Sequence, residues 1–530
     1  MNSDHNLLPA PRQDLVDIPH EVHGVASVHG MSQQLRRGQI YVIWVLFGAI
    51  VFLNSLIQWS AGITLQVSIE ANPGFVGKVL QGNHLVYAFA PLVFGRLADL
   101  YSRPISSAFA VSFFILGSIV SATSPDTVAF AVGTIFHTIG IAGIGLLATL
   151  FIADYTSLRW RGMALSWTYL PSLIVVWAGP QLNAGIAWRW IYGMAAILAF
   201  ALCTPAIYLL ISAGRNRRAT SPSSPILQPT KLRDIPSQMD LVGLLIFIIG
   251  FGLIEYGSTT VLITRSEISE EYPPGRIVML VIGLLLAFPG FIVWELYFAS
   301  SPLMPERVLR CRGMLLAIVI AFVSHFASSF PSRAIRVLLP VGWKMGIVGY
   351  FFSTQAIAYS AFSPLLGGAY YVVRRYKPFL LVGNALFIVG CALWLHAARH
   401  WDLRTSEGVS SSPAYLFTIQ VLIGLGSIAI EMSLLIGSQA SVTHNDLAIA
   451  TALVFAWSQI AMSLGSSAAI AVSLRFDSGR TESIVSLGSA LGLSLLCLLL
   501  STLMPNFVLG DRQNAAEVEY KVEPGPQGAN

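Results

Sequence analysis

Charge is what this chain has least of. Only 11% of its 530 residues are Asp, Glu, Lys or Arg, against about 25% in an ordinary soluble domain. Hydrophobic residues make up 55%, and the mean hydropathy is +0.69. No single water-facing core hides that much apolar surface, so a soluble enzyme is excluded and a bilayer is the solvent that suits the composition. The net charge of +5 is small and the basic residues are scattered, which argues against a nucleic-acid partner. Cysteine is scarce too. Cys203, Cys311, Cys391 and Cys497 lie far apart, with no CxxC pair and no His/Cys cluster, so neither a disulfide framework nor a metal site is expected. A nucleophile constellation and a phosphate-binding loop are also missing, so no catalytic residue and no cofactor are expected. The first thirty-odd residues lack the apolar core of a signal peptide. With Pro9, Pro11 and Pro19 they read as a disordered cytoplasmic tail, as does the end of the chain from Asp511.

What is abundant is long uncharged sequence. A helix needs about 20 mostly apolar residues to cross a bilayer. Six such stretches fall at 38–69, 79–95, 104–125, 127–153, 162–188 and 190–214, and two more at 241–260 and 277–297. A last six fall at 313–337, 345–373, 378–398, 415–437, 447–474 and 483–503, for fourteen predicted spans. The predicted fold is an all-α polytopic membrane protein arranged as six, two and six helices. Its expected parts are a tail (1–38), an N-terminal six-helix bundle (39–214), a cytoplasmic loop (215–240), a two-helix insert (241–297), a second loop (298–312), a C-terminal six-helix bundle (313–505) and a final tail (506–530). Two similar halves with the substrate between them are a common plan for secondary transporters.

Short loops rich in Lys and Arg stay in the cytoplasm. With both termini inside, the inner loops hold Arg96 and Arg103, Arg159 and Arg161, the basic stretch 215–233, Arg307, Arg310 and Arg312, and Arg374, Arg375 and Lys377. Arg333, Arg336 and Lys344 fall on the outer side and run against the rule.

The segment Gly95-Arg-Leu-Ala-Asp99-Leu-Tyr-Ser-Arg103 ends the second span, and Gly367-Gly368 followed by Arg374-Arg375 echoes it after the tenth. The first of these resembles the loop signature of the major facilitator superfamily. In that reading Gly95 lets two helices approach closely, while Asp99 and Arg103 make contacts that lock and release the inner gate. Narrower matches follow in order: Asp154-Tyr-Thr-Ser-Leu-Arg159-Trp160-Arg161-Gly162, Trp188-Arg-Trp190-Ile-Tyr-Gly, Pro302-Leu-Met-Pro305-Glu-Arg-Val-Leu-Arg310 and Ser441-Val-Thr-His444-Asn-Asp446. These resemble the fungal siderophore iron transporter family. The resemblance implies a fourteen-helix proton symporter for ferric siderophores, with Gly95, Asp99, Arg103, Asp154 and Arg161 as gating residues. It implies a multi-pass protein of the plasma membrane, or else of an endosomal or vacuolar membrane. Its partners would be the small-molecule substrate, protons and lipid, and it would act as a monomer. Iron would arrive already chelated.

The chain departs from that family in its short outer loop at 475–482 and in carrying Glu431 within the twelfth span. Gly179-Pro180, with Gly185 nearby, resembles a motif of exporters, so proton-coupled export of a secondary metabolite or toxic compound remains the alternative. Ionisable side chains inside a span are costly and usually functional. Glu431 is the leading proton-coupling candidate, because a carboxyl held in the span could take up and release a proton. His84 and His137 are the other candidates. Asn54 and Gln58, four apart on one helix face, are the substrate-cavity candidates. Glu255 and Glu295 are placed near span ends, within reach of the interface.

Overall fold

The computed structural model describes residues 48–49, 51–53, 55, 73–176, 188–220, 238–264, 274–338, 345–400, 413–476 and 479–511. Most of the first predicted span, Asn54, Gln58, the Gly179-Pro180 pair and Gly185 lie outside the described residues, as do most of both tails.

Among the described residues nearly everything is helix. In chain order the elements are α1 (Pro73–Leu100), α2 (Arg103–Thr123), α3 (Thr127–Tyr155), α4 (Leu158–Tyr169) and α5 (Trp188–Thr220). Then come α6 (Leu241–Thr264), α7 (Pro274–Leu285), α8 (Phe291–Tyr297), the single turn α9 (Glu306–Leu309) and α10 (Arg312–Leu338). The last five are α11 (Met345–Val373), α12 (Lys377–His400), α13 (Pro413–Ala440), α14 (Leu447–Arg475) and α15 (Gly479–Leu503). Eleven stretches among the described residues are long and apolar enough to cross a membrane. Helices α1 and α4 occupy the positions of the second and fifth predicted spans.

Local chemistry explains the boundaries. Asp126 caps α3 by accepting from the Ala129 amide at 2.7 Å. Pro104 sits in the first turn of α2, where its missing N–H is harmless. Pro331 lies inside α10, which nevertheless runs unbroken to Leu338, since neighbouring helices can support a proline in a span. The eighth predicted span behaves differently. It runs continuously from α7 into α8 through a π-turn at Leu286–Gly290, where Pro289 replaces a regular hydrogen-bond donor.

Burial separates centre from rim. In α3, 78% of the apolar window is buried inside the protein, and in α13 and α14 it is 72% each. Along α7 and α8 it is 17%. Ile282, Leu285, Ile292 and Leu296 of that pair are exposed, an apolar surface of the kind that suits lipid.

The packing repeats. In the first half α1 packs on α3, and α2 on both α3 and α5; in the second, α11 packs on α13, and α12 on both α13 and α15. Between halves, α1 packs on α14 and α4 on α11. Second-position and fifth-position helices thus meet reciprocally, as a two-fold relation requires. The α4–α11 approach is close: a Cβ on Gly367 would stand 2.9 Å from the Gly162 carbonyl oxygen, so only glycine fits there.

Candidate functional site

Two polar centres stand out in the apolar interior. The first lies at the end of the bundle where α1 ends and α2 begins. Arg103 donates through Nη1 to Asp99 at 2.8 Å and through Nε to Asp154 at 3.3 Å. Arg161 donates to the carbonyls of Ala153 at 3.0 Å and Thr156 at 3.4 Å, stapling the α3–α4 turn. All four side chains are buried, two cations against two anions. Charges removed from water need this pairing to persist. His444, from the loop before α14, places Nε2 3.6 Å from the second Asp154 oxygen and so joins the halves. Next to it Asp446 pairs with Arg307 at 2.7 Å and accepts from Thr443 at 3.1 Å. Gly95 is where a Cβ would meet Ala452 at 3.4 Å and the Ala448 carbonyl at 3.5 Å, close to the limit of contact between α1 and α14. The structure therefore gathers all five predicted gating residues at one level, and adds His444, Asp446 and Arg307.

The C-terminal segment crosses this same end. The Arg159 amide donates to Gly510 at 3.0 Å, and the Leu509 amide to Arg374 at 2.9 Å. The guanidinium of Arg159 lies 4.2 Å above the Tyr371 ring. Tyr376, in the turn before α12, donates its hydroxyl to the Pro505 carbonyl. Burial pushes its phenol up, which keeps it a donor at neutral pH.

The second centre lies mid-bundle. Glu431 of α13 accepts from Tyr359 of α11 at 2.5 Å and from Tyr169 of α4 at 3.4 Å. The two tyrosine rings meet edge to face, centroids 5.3 Å apart. One carboxylate is thus held by phenols from both halves. Behind it is a cavity of about 60 Å³ between α10, α12, α13 and α15.

The other expected residues fall elsewhere. His84 reaches from α1 to Gln459 of α14 at 3.4 Å, across the halves. His137 is buried among Phe114 and Tyr192, with centroids at 4.7 and 6.0 Å, and packs within the first half. Glu255 does not reach the interface as its position suggested. It is buried and accepts from Ser467 of α14 at 2.9 Å, tying the insert to the core. Glu295 accepts from the amides of Leu303 at 2.9 Å and Met304 at 3.3 Å, fastening the loop after α8. Tyr169 and Tyr359 were not singled out from sequence, because an aromatic residue in an apolar run reads as core or lipid contact.

No protein-family profile matches the chain. Over 487 residues it is 27% identical to a siderophore transporter of Zymoseptoria tritici, covering 86% of this chain and 72% of that protein. It is 26% identical over 473 residues to a low affinity heme transporter of Schizosaccharomyces pombe, covering 84% and 72%. Siderophore iron transporter 1 of Saccharomyces cerevisiae is 26% identical over 406 residues, covering 73% and 62%. Among solved structures, the peptide transporter PepTSo superposes with a TM-score of 0.59 at 14% identity over 89% of this chain and 99% of that one. The proton:xylose symporter XylE gives 0.55 at 12% identity over 91% and 100%. Those likenesses establish the major facilitator fold. The chain is a multi-pass membrane protein of that fold, similar over most of its length to proteins named siderophore iron transporters.

Proposed function

We propose that the protein is a proton-coupled symporter that takes up ferric siderophores. In this reading it has fourteen spans in a six, two and six arrangement, with both termini in the cytoplasm, and works as a monomer in the plasma membrane. The observation that carries the coupling is the Glu431 clamp. An ionised carboxylate accepting from Tyr359 and Tyr169 holds α13, α11 and α4 together. A proton on Glu431 removes the charge that strengthens both bonds. The bond to α4 is the one that crosses between halves, so proton binding loosens their contact. Moving one proton through about 100 mV supplies roughly 2.3 kcal/mol.

The buried charges around Arg103 are the gate on the cytoplasmic side, closed in this arrangement. Asp99 and Asp154 hold Arg103, Arg161 holds the α3–α4 turn, and His444 reaches across from the second half. Opening inward requires the contacts between α1 and α14, and between α4 and α11, to part. His84, on the α1–α14 contact, is the second proton-coupling candidate, and His137 the third. Asn54 and Gln58 remain the proposed substrate contacts. The relatives' names supply the substrate class, ferric siderophores, with heme the nearest alternative.

The test is uptake of radio-iron, supplied as several ferric siderophores or as heme, by a siderophore-uptake-deficient yeast expressing the chain. Accumulation that collapses with a protonophore is expected. No accumulation from any of them, together with new drug resistance, would favour export. One observation favours that second reading: α14 ends at Arg475 and α15 begins at Gly479, leaving almost no outer loop.

A further inference from the structure

The wall of the cavity behind Glu431 carries Phe387, Ile430 and Cys497 together with several oxygen atoms whose protons are committed elsewhere. The hydroxyls of Ser324 and Ser328 on α10 donate back to Ala321 at 3.1 Å and to His325 at 2.8 Å. Ser427 on α13 donates to Ile423 at 2.8 Å, and Ser494 on α15 to Ala490 at 2.7 Å. Asn384 on α12 donates its amide protons to the Leu380 carbonyl at 2.8 Å and to Ser501 at 3.2 Å. Those acceptors fix the amide orientation and leave its carbonyl oxygen to accept. His325 directs Nδ1 at the Ala321 carbonyl, 2.9 Å away, so a neutral ring offers its other nitrogen as an acceptor as well.

Side chains carrying lone pairs therefore come from four helices to one partly open cavity, and Glu431 adds a carboxylate. Neither Lys nor Arg lines the cavity. The groups that meet Glu431 from α4 and α11 are the phenols of Tyr169 and Tyr359. Tyr87 of α1 interacts with it electrostatically, and His325 and Cys497 are the titratable groups of the cavity wall. None of these phenols, the thiol or the ring is a fixed positive charge. Six oxygen-bearing side chains, one of them a carboxylate, set in a wall that is otherwise largely apolar are the kind of ligand set a hard cation takes. A single carboxylate matches a single positive charge. The volume, about 60 Å³, exceeds the 10–15 Å³ or so that one water needs.

We propose that this chamber is a binding site for a small monovalent cation, held by Ser324, Ser328, Ser427, Ser494, Asn384 and Glu431. The site deepens the coupling role given to Glu431 and rests on it only in sharing that residue.

The test uses the full-length protein, purified at one neutral pH without substrate. Melting is followed in equal concentrations of lithium, sodium, potassium or choline chloride, and retention of radiolabelled sodium is counted. Choline, whose charge is buried under methyl groups, is the control that oxygen ligands cannot coordinate closely. A rise of about 2 °C or more over choline is expected with at least one of the small cations. The Ser427→Ala/Ser494→Ala protein should lose both that rise and the retained sodium. Ser427→Thr, which keeps the hydroxyl, and Ser112→Ala, an exposed serine with the same kind of helical bond, should keep both. If the double variant yields no folded protein, Ser328→Ala gives the same reading. Equal melting in all four salts overturns the proposal, as does an undiminished cation effect in the alanine variants. Such a failure leaves the coupling role of Glu431 intact, since no gradient or substrate is present. Conversely, normal concentrative uptake by Glu431→Gln would end that coupling role while the wild-type cation effect still stood.

Discussion

The charged cluster around Arg103 and the clamp around Glu431 solve the same problem in different ways. Each keeps ionisable groups out of water. At Arg103 the charges balance in number: two carboxylates share one guanidinium, at 2.8 and 3.3 Å, and a second guanidinium is bonded to backbone carbonyls. At Glu431 the hydrogen-bond donors are neutral phenols, and the cavity beside it carries no fixed charge of its own. A balanced cluster changes state when its parts separate. A lone carboxylate among neutral donors changes state when a proton or cation arrives. The first arrangement suits a gate and the second suits a coupling site.

The sharpest way to break this contrast is Glu431→Gln. Glutamine keeps the shape and the hydrogen bonds but cannot titrate. Concentrative uptake should vanish while substrate binding and counterflow exchange largely persist, as measured in vesicles with and without a pH gradient. Retained concentration with normal pH dependence would show that the clamp does not carry the proton.

The next largest effect is expected at the gate. Arg103→Ala strips Asp99 and Asp154 of the guanidinium they share, and breaking a buried pair costs about 3–5 kcal/mol. Transport should fall about tenfold or more as the balance of gate states shifts, with membrane targeting retained. Asp99→Asn should act in the same direction but less, because Asp154 still holds the arginine. Full transport by both variants would remove this cluster from the mechanism.

Single hydroxyl deletions sharpen the comparison further. A hydrogen bond to a charged group contributes about 1.5–3 kcal/mol. Tyr359→Phe loses the 2.5 Å contact and Tyr169→Phe the 3.4 Å one. The steady-state accumulation ratio should therefore drop more for Tyr359→Phe, and equal effects would mean that the clamp is not read by distance. The smallest effect is expected for Asp511→Ala. Its partner Arg159 stands 3.5 Å away and the Asp511 side chain is 74% exposed, so uptake and melting temperature should not measurably change.

Much of this was legible in the sequence. The cluster around Arg103 was legible because Asp99 and Arg103 follow Gly95 closely in the chain and carry charge where charge is rare. Glu431 was found for the same reason. Glu255 was misplaced, since distance from a span end does not say whether a neighbouring helix covers the side chain, and Ser467 lies 212 residues away. The eighth span was legible as a single run, but not its π-turn: Pro289 is visible, yet Pro331 in α10 looks no different and sits in a regular helix.

What the sequence determined by itself is everything that depends on solvent. Long uncharged runs must form helices in a bilayer, because no water is there to satisfy the backbone, and rare charges must cluster or function. What only the tertiary structure decided is which partner each polar group meets. Tyr169, Tyr359 and Glu431 come from three helices spread over 262 residues of chain. Their apolar surroundings look alike in sequence, and only the packing of α4 and α11 against α13 turns two aromatic residues into hydrogen-bond donors for one acid.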